Sequence, residues 1–381
     1  MTSSGDHTGA SADESGGALR RSPIHDQHVG SGAKFALFAG WEMPLEYAGG
    51  GVLAEHAAVR ESVGLFDVSH LGTLDVRGSG ARAFLDTQLT NDLSRLEPGS
   101  AQYTLICTEE GGVVDDLIAY VSADSDVRLV PNAANCAAVR DRLRQAAPSG
   151  VEVLDEHTST AILAVQGPES AQVLLALGLD PELAYMRFNQ QEFGDATISV
   201  CRSGYTGEPG FELIAPTDAA AGLWEALLHA AANVGGRAAG LAARDTLRTE
   251  MGYPLHGQDL SLEISPVQAG LSWAVGWDKA EFVGRSALVA ERADGPQRRL
   301  RGIRLTDSGV PRPGMAVLAA AGDREVGVLT SGTFSPTLRV GIGLALCDMG
   351  VAVGDQVRIN ARGRQLGAAV VKPPFVATSP R

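Results

Sequence analysis

The sequence predicts an α+β protein in which two mixed helix-and-strand units precede a small C-terminal β domain. Helical and strand patterns alternate with a similar rhythm over residues 51–147 and again over residues 161–235. Beyond about residue 290 the pattern changes to short apolar runs separated by Gly, Pro and Asp, which is typical of a small barrel or sandwich. With 381 residues, 44% of them hydrophobic, the chain can fill the cores of two or three such units.

The composition excludes several classes of protein. A formal net charge of -14 argues against binding to nucleic acid or to an anionic membrane, since such binding needs a clustered basic surface. No apolar run approaches the roughly 18 residues that a membrane-spanning helix requires. The Ser-, Gly- and Asp-rich start lacks the basic segment and apolar core of a secretory signal, so residues 1–21 are predicted to be a disordered tail. Four cysteines without a Cys-x-x-Cys pair, and eight histidines without a His-x-x-x-His pair, predict a cytoplasmic protein without a metal site.

In the first unit, the segment up to residue 50 is predicted to be a loop with a turn at Trp-Glu-Met-Pro. A helix is predicted from Gly51 to Ser62 and a strand from Gly72 to Val76, followed by a helix over ARAFLDTQLT. TLICTEEGGVVDDLIAYV is predicted to be a hairpin, because Gly111 and Gly112 supply the positive φ of a tight turn. The strand VRLVP and the helix NCAAVRDRLRQAA complete this unit.

The second unit and the β domain follow from the same patterns. AILAVQGP, ATISVCR and FELIAP are predicted strands, and ESAQVLLALG and GLWEALLHAAANVG are predicted helices. The β domain comprises the runs GIRLTD, MAVLAA, REVGVLTSG, RVGIGLALC, VGDQVRIN and LGAAVV. We therefore predict a helix-and-strand region over residues 22–290 and a β domain over residues 291–381.

RGSGARAFLD contains the Gly-x-Gly-x-x-Ala spacing of a dinucleotide-binding turn at Gly78, Gly80 and Ala83. That turn also requires a second parallel strand ending in an acidic residue about 20 positions later, where this chain has the loop sequence TNDLSRLEPG. We therefore interpret the segment as a plain strand-turn-helix with Ser79 as the helix cap.

The strand GGVVDDLIAYV carries Asp115 and Asp116 among apolar residues on both of its faces. Buried strands seldom contain carboxylates. Adjacent strand residues point to opposite faces, so the two aspartates are not expected to share a proton. One of them is expected to face a site. The alternative is an aspartate satisfied by a backbone turn or an arginine.

Two further segments carry chemistry. In SGYTGEPGFEL, three glycines at intervals of three display Tyr205 and Glu208, a ring and an acid that suit a flat heteroaromatic ligand; the alternative is a structural turn. The helix after Gly240 places Arg244 and Arg248 on one face beside apolar residues. At least one of these guanidinium groups needs a carboxylate, which either the protein or an anionic ligand could supply.

Several motifs in one order closely resemble the aminomethyltransferases, or T-proteins, of the glycine cleavage system. They are GWEMP, EHAAVRESVGLFDVSH, TNDL, GGVVDDLIAY, VPNAANC, VQGP, GYTGEPGFEL, GLAARDTLRTE, LSWAVGWDK, FVGRSAL and SGTFSP, and the match covers about residues 22–376. The resemblance implies a cloverleaf of two related folate-binding domains, interleaved in sequence, and a C-terminal β-barrel domain around a central cavity. It also implies that the aminomethyl group on the lipoyl arm of H-protein reacts with tetrahydrofolate, giving ammonia, methylenetetrahydrofolate and the dihydrolipoyl arm.

Carried over by motif position, the resemblance implies that Asp116 is the catalytic carboxylate, close to the folate nitrogens. The implied folate-site residues are Tyr103, Asn132, Tyr205, Glu208, Arg244, Tyr253 and Trp273, with Glu208 pairing to the amino-pyrimidinone edge of the pterin. Two positions depart from the family. His256 stands where members often have tyrosine and is expected to touch the pocket rim at most. The terminus FVATSPR lacks the tyrosines that contact folate in some relatives.

Two other functions share the implied fold. A folate-dependent demethylase would take its one-carbon unit from another donor and would work without a lipoylated partner. A folate-binding protein of iron-sulfur cluster maintenance would carry a Lys-Gly-Cys-Tyr-x-Gly-Gln-Glu type motif, whereas this chain has SGYTGEPGFEL with no cysteine inside it.

Overall fold

The computed structural model describes residues 19–378 and residue 380. Residues 1–18 of the predicted tail lie outside the described part of the chain. The prediction is wrong for Arg20–Arg21, which form strand β1.

The helices and strands alternate as the sequence predicts. The helices are α1 (His25–Gly30), α2 (Gly51–Glu61), α3 (Ala81–Gln88), α4 (Cys136–Ala146), α5 (Ser170–Ala176), α6 (Thr217–Ala232), α7 (Leu241–Met251) and α8 (Arg285–Asp294), with 3-10 turns at Leu93–Arg95 and Ser272–Ala274. The strands are β1 (Arg20–Arg21), β2 (Ala33–Phe38), β3 (Trp41–Tyr47), β4 (Gly64–Asp67), β5 (Leu74–Gly78), β6 (Ser100–Cys107), β7 (Val113–Ala123), β8 (Asp126–Val130), β9 (Val151–Asp155), β10 (Thr160–Gln166), β11 (Phe188–Phe193), β12 (Ala196–Cys201), β13 (Gly210–Pro216), β14 (Arg237–Ala238), β15 (Arg298–Leu305), β16 (Ala316–Ala319), β17 (Glu325–Ser335), β18 (Val340–Asp348), β19 (Gln356–Ala361) and β20 (Arg364–Val371).

These strands form three sheets and a barrel. The sheets have the orders β1-β3-β2, β6-β7-β8-β5-β9 and β11-β12-β13-β10-β4-β14, and β15-β18-β17-β16-β19-β20 close into a six-stranded barrel. Strand β4 lies in the six-stranded sheet although β5 to β9, which follow it in sequence, build the five-stranded sheet. The chain therefore crosses between the two sheets before it completes either of them. The predicted α+β class with a C-terminal β-barrel is confirmed.

Each of the two larger sheets is covered by helices on one face and packs against the other sheet on its opposite face. Helices α5 and α6 cover the six-stranded sheet, and α3 and α4 cover the five-stranded sheet. Between the sheets, Phe66 and Ile162 of one sheet share a buried cluster with Tyr120 of the other and with Leu247 of α7. Because burial of apolar area drives this packing, the inner faces are held together and α7 is held at their junction.

The N-terminal segment was predicted to be a loop, and this is wrong. β2 and β3 form an antiparallel hairpin, and the Trp-Glu-Met-Pro segment lies within β3. Pro44 has no N–H for the ladder, and the register shifts between Lys34 and Phe35 opposite it. A proline in a central strand is tolerated at such a bulge, which explains why a turn signal occurs inside a strand.

The segment from Gly78 to Ala83 has the predicted strand-turn-helix shape but not the predicted cap. The N-terminal cap of α3 is Gly80, with a left-handed φ of 86°, and no side chain donates or accepts a capping hydrogen bond there. Strand β5 pairs antiparallel with both β8 and β9. The parallel strands of a dinucleotide-binding fold are therefore missing from this sheet.

The predicted hairpin of β6 and β7 forms, although its two glycines have different roles. Only Gly111 has a positive φ, of 88°. At Gly112 a Cβ atom would lie 1.8 Å from the carbonyl oxygen of Leu262, so this position needs glycine for close approach of another segment.

None of the helices between residues 19 and 378 is both long enough and apolar enough to cross a membrane.

A buried carboxylate joins α2, α7 and the barrel. Glu250 of α7 accepts hydrogen bonds from His56 Nε2 at 2.9 Å, Arg60 Nη2 at 2.7 Å and Ser335 Oγ at 2.5 Å. Burial by itself would raise the pKa of Glu250, but these partners, above all His56, outweigh it and lower the pKa to about 2. The ionised carboxylate therefore stabilises the contact between the helices and the barrel.

We expect Glu250→Gln to lower the free energy of unfolding at pH 6 by on the order of 3 kcal/mol, because His56 and Arg60 lose their buried partner. Because folding lowers the pKa of Glu250, its ionised carboxylate contributes its full stabilisation above pH 4.5, the ordinary pKa of a glutamate. This contribution is lost as the pH falls towards about 2, where the carboxylate is protonated in the folded protein. The native protein should therefore lose stability over this range more steeply than the variant. Urea unfolding at a series of pH values measures both effects. The exposed neighbour Glu61→Gln serves as the control, and parallel pH curves for the native protein and Glu250→Gln would contradict the assignment.

Candidate active site

A central cavity of about 2240 Å³ opens where the two sheets, α7, the segment after α7 and the barrel meet. Its wall combines polar side chains from β6, β7 and α7 with the aromatic residues Tyr103, Tyr205, Tyr253 and Trp273. A site for one small molecule commonly measures about 300–1,000 Å³. This cavity is large enough for two ligands to meet in it.

Strand β7 presents Asp116 to the cavity. Exposure alternates along the strand, with Val113, Asp115 and Leu117 buried and Asp116 facing the opposite side. Ile106 pairs with Asp115 and Cys107 with Val113, so Val114 is the extra residue of a bulge. Bulges redirect side chains next to sites, and this one immediately precedes the two aspartates.

The carboxylate of Asp116 is held by two donors. The Tyr103 hydroxyl donates to Oδ2 at 2.9 Å, and Asn132 Nδ2 donates to Oδ1 at 2.9 Å. Burial raises the pKa of Asp116, while the hydrogen bonds from Tyr103 and Asn132 oppose the increase. Asp116 is thus a positioned carboxylate that faces the cavity with proton affinity above that of an aspartate in water.

Asp115 lies behind the strand and has its own partners. It accepts from the backbone N–H and Nδ2 of Asn132 at 2.9 Å each, and from Asn135 Nδ2 at 2.7 Å. Burial, followed by the nearby charge of Asp116, raises its pKa. The two aspartates point to opposite faces, as predicted, but Asn132 donates to both. The two carboxylates are nevertheless connected, because they share one amide and the charge of Asp116 helps to raise the pKa of Asp115.

Aromatic pairs line two parts of the cavity. Tyr103 stacks on Trp273 with a centroid distance of 5.3 Å, and Trp273 is 66% exposed. Tyr205 stacks on Tyr253 at 5.7 Å, and the guanidinium of Arg244 lies 4.9 Å from the centre of the Tyr205 ring. Flat apolar surfaces of this kind can bind a planar ring.

The two arginines of α7 have different environments. Arg248 is fully buried and paired within the protein, through Asp245 at 2.7 Å, Asp259 at 2.8 Å and Ser331 at 2.8 Å. Arg244 lines the cavity, and its Nη1 is buried without a hydrogen-bond partner among the described residues. Burial lowers the pKa of Arg244, and the charge of Glu212 opposes this effect. An unsatisfied buried guanidinium nitrogen favours an acceptor on a bound ligand.

Glu208 does not occupy the position expected of it. It is 8% exposed, accepts from Arg60 Nη1 at 2.8 Å and from the Thr378 hydroxyl at 2.8 Å, and does not contribute to the described cavity wall. The carboxylate that this region turns towards the cavity is Glu212, four residues later on β13. Ser203 Oγ donates to Glu212 Oε2 at 2.6 Å, and the Tyr120 hydroxyl lies 3.2 Å from Ser203 Oγ.

The sequence contains a signal for Glu212. FELIAP is an apolar strand interrupted by one carboxylate, which is the same anomaly that singled out the Asp115 and Asp116 pair. The three glycines around Glu208 instead predict a loop that displays Glu208 to a ligand. Two of them, Gly204 and Gly210, are required because a Cβ atom would collide with the buried side chain of Gln166.

His256 and the C-terminus also reach the cavity. His256 lines the wall and contacts Asn135 at 2.9 Å, so it is more than a residue of the rim. Pro380 lines the cavity near the end of the chain, while Thr378 is fixed by Glu208. The remaining expected residues, Tyr103, Asn132, Tyr205, Arg244, Tyr253 and Trp273, all lie in the wall.

One group within the described residues has the composition of a metal site. Single ligand atoms of Cys136, Asp155 and His157 all lie within 4.8 Å of one another. Both oxygens of Asp155 are already engaged, by Arg140 Nη1 at 2.7 Å and by the His157 backbone N–H at 3.1 Å. Burial raises the pKa of the Cys136 thiol to about 12. The Asp155 carboxylate is thus already paired within the protein, and a thiol of raised pKa binds a metal poorly because the thiolate is the ligand form.

Comparisons with known proteins cover nearly the whole chain. Residues 24–279 match the GCVT N-terminal domain, and residues 298–377 match the glycine cleavage T-protein C-terminal barrel domain. An aminomethyltransferase of Parafrankia sp. (strain EAN1pec) is 61% identical over 365 residues, which are 96% of this chain and 100% of that protein. An aminomethyltransferase of Mycobacterium tuberculosis (strain ATCC 25618 / H37Rv) is 56% identical, covering 95% of this chain and 98% of that protein.

A solved structure is similar over the same extent. The crystal structure of glycine cleavage system aminomethyltransferase T from Bartonella henselae superposes with a TM-score of 0.89 at 35% identity, covering 95% of this chain and 99% of that chain.

We expect Asp115→Asn to lower the free energy of unfolding by about 1–3 kcal/mol, because the new amide offers one acceptor where the carboxylate accepts three hydrogen bonds. Chemical denaturation measures the change. Asp278→Asn, at a side chain that is 91% exposed, is the matched control and should leave stability unchanged. An unaltered midpoint for Asp115→Asn would mean that the buried network does not stabilise the fold.

Proposed function

The chain belongs to the glycine cleavage T-protein family, and on that premise we propose that its central cavity binds tetrahydrofolate with the carboxylate of Asp116 beside the reacting carbon. The family predicted from the sequence motifs is confirmed, and the chain is an aminomethyltransferase of the glycine cleavage system. Enzymes of this family use tetrahydrofolate as substrate. The folate site, the roles of individual residues and the protein partner are the proposal.

The observation that carries the proposal is a carboxylate with two fixed donors that faces a cavity built for more than one ligand. A transfer from a carrier-bound arm to tetrahydrofolate requires both substrates to meet at one carbon. The volume of about 2240 Å³ accommodates a pterin with its tail and also an extended lipoyl arm. We propose that the carrier is lipoylated H-protein.

We propose that the pterin binds beside Tyr205, between Glu212 and Arg244. The amino-pyrimidinone edge offers N–H donors that suit a carboxylate, and its carbonyl suits a guanidinium. Ser203 already donates to one oxygen of Glu212, which leaves the other oxygen for the ligand. The unpaired Nη1 of Arg244 supplies the second half of this recognition. Glu212 thus replaces Glu208 in the role inferred from the motifs.

Asp116 has two properties that the reaction needs. Tetrahydrofolate nitrogen must lose a proton as it bonds to the transferred carbon, and positive charge develops on that carbon as ammonia leaves. A carboxylate whose pKa is raised by burial accepts a proton more readily than one in water, and its charge stabilises the developing cation. Tyr103 and Asn132 fix its orientation. Tyr253 and Trp273 are proposed as aromatic walls of the same site.

A cytoplasmic location also remains a proposal. All four cysteines are buried and unpaired, which is the usual state of thiols in a reducing compartment.

We expect Asp116→Asn to keep tetrahydrofolate affinity and to lose about 100- to 10,000-fold in kcat, the usual contribution of a general acid or base. Glu212→Gln should instead weaken tetrahydrofolate binding by about tenfold or more, because the amide presents N–H groups to the donor edge of the pterin. Calorimetric titration and initial rates separate the two effects. Glu208→Gln, in the loop just before β13, is the control and should retain tetrahydrofolate affinity. Equal loss of affinity in Asp116→Asn and Glu212→Gln would refute this division of roles.

The overall reaction is tested by ammonia release from aminomethylated, lipoylated H-protein, with and without tetrahydrofolate. We expect tetrahydrofolate to accelerate release strongly and methylenetetrahydrofolate to form in equal amount. One-carbon transfer from a methylated small molecule without any lipoylated partner would indicate a demethylase. Tetrahydrofolate binding without turnover of either donor would indicate a non-catalytic folate-binding protein.

A further inference from the structure

Behind Asp116, a series of hydrogen-bonded side chains begins at His256, in the segment after α7, and leads through Asn135 to Asp115 on strand β7. His256 Nδ1 lies 2.9 Å from Asn135 Nδ2, and Asn135 Nδ2 donates to Asp115 Oδ1 at 2.7 Å. Asp115 in turn accepts from both amide groups of Asn132, which donates to Asp116. We propose that His256 and Asn135 are positioning residues for Asp116, a role that rests on the proposed function of that carboxylate.

The tautomer of His256 is fixed by its second contact. Nε2 lies 3.2 Å from the carbonyl oxygen of Val113, which can only accept, so Nε2 carries the hydrogen. Nδ1 of the neutral ring is then bare and accepts from Asn135. His256 therefore donates a hydrogen bond to the start of β7 through Nε2 and accepts one from the Asn135 amide through Nδ1.

The amide of Asn135 has no spare hydrogen in this arrangement. Its two N–H groups serve His256 and Asp115, and this assignment keeps the amide nitrogen turned towards the buried carboxylate. If the acceptor at His256 is removed, one N–H of the Asn135 amide loses its partner, and the amide is held through Asp115 alone. Asn135 and Asp115 are then less firmly positioned, and Asn132, which donates to both carboxylates, holds Oδ1 of Asp116 less firmly.

Steady-state kinetics distinguish this role from direct contact with substrate. His256 lines the cavity, so a substrate-binding role would change tetrahydrofolate affinity. A positioning role acts through Asp116 and changes kcat while the KM for tetrahydrofolate is retained.

Three substitutions of His256 separate its two hydrogen bonds. His256→Asn places an acceptor oxygen near the position of Nδ1 and loses the bond to Val113. His256→Gln places a donor near the position of Nε2 and loses the acceptor for Asn135. His256→Leu loses both. We expect kcat to fall about three- to tenfold in the Leu and Gln variants, the size of one hydrogen bond, and to be largely restored in the Asn variant.

The link through Asn135 is tested by a double-variant cycle with Asn135→Ala. If the two residues act as one chain, the combined variant His256→Leu, Asn135→Ala should lose no more kcat than the more damaging single variant. Independent, multiplicative losses would overturn the proposal. So would unchanged kcat in the Leu variant, a rise in KM for tetrahydrofolate in all three His256 variants, or losses of kcat that follow unfolding midpoints and are not restored by Asn.

Asp116→Asn is measured in the same assay. Full turnover in Asp116→Asn would reject the proposed function of Asp116. Loss of turnover in Asp116→Asn together with normal kcat in His256→Leu would reject the positioning role alone.

Discussion

The structure depends on the hydrogen bonding of two neighbouring carboxylates in one strand, of which Asp115 is fully buried and Asp116 is half-buried at the cavity. A carboxylate removed from water is costly unless it is paired or hydrogen-bonded. The loop between β8 and α4 satisfies this requirement with Asn132 and Asn135, whose amides converge on Asp115. Once Asp115 is satisfied, Asp116 is directed towards the cavity, with Tyr103 and Asn132 as its only side-chain hydrogen-bond donors among the described residues.

Helix α7 joins this strand to the rest of the molecule. Its buried Arg248 reaches Asp259 and Ser331, and its buried Glu250 reaches His56, Arg60 and Ser335. The same helix places Leu247 in the core between the two sheets and Arg244 in the cavity wall. One helix thus connects both sheets to the barrel, and the cavity forms at the junction that it holds. The polar contacts fix the orientation of the units, while the apolar core between the sheets supplies most of the stabilising area.

The cavity combines rigidly held polar side chains, which the proposed function assigns to the pterin, with room for a second molecule. Glu212 and Arg244 lie on a strand and a helix rather than on loops, and Ser203 and Tyr120 support Glu212 from behind. A carrier protein that delivers a reactive group on a long arm needs space as well as precise contacts. The wall accordingly combines polar side chains on β7, β13 and α7 with a larger share of apolar surface.

The sequence by itself determined the features that depend on neighbouring residues. The two-residue period of β7 predicted that Asp115 and Asp116 face opposite sides, the glycine-rich turn predicted its hairpin, and the order of motifs predicted the family. Features that depend on distant partners were decided only by the tertiary structure. Pro44 is typical of a turn in sequence, but in the fold a bulge at Leu45, within β3, accommodates it.

The carboxylates and arginines of the site show the same distinction. In the sequence, nothing local decides whether Glu208 or Glu212 faces a bound molecule. In the fold, Arg60, 148 positions away, pairs with Glu208, and Glu212 faces the cavity. Likewise, Ser331 from the barrel and Asp259 complete the partners of Arg248, whereas no residue in the described part of the chain pairs with the buried Nη1 of Arg244. Which charged group faces a ligand is decided by which charges the folded chain has already paired, and that pairing depends on contacts that local patterns do not contain.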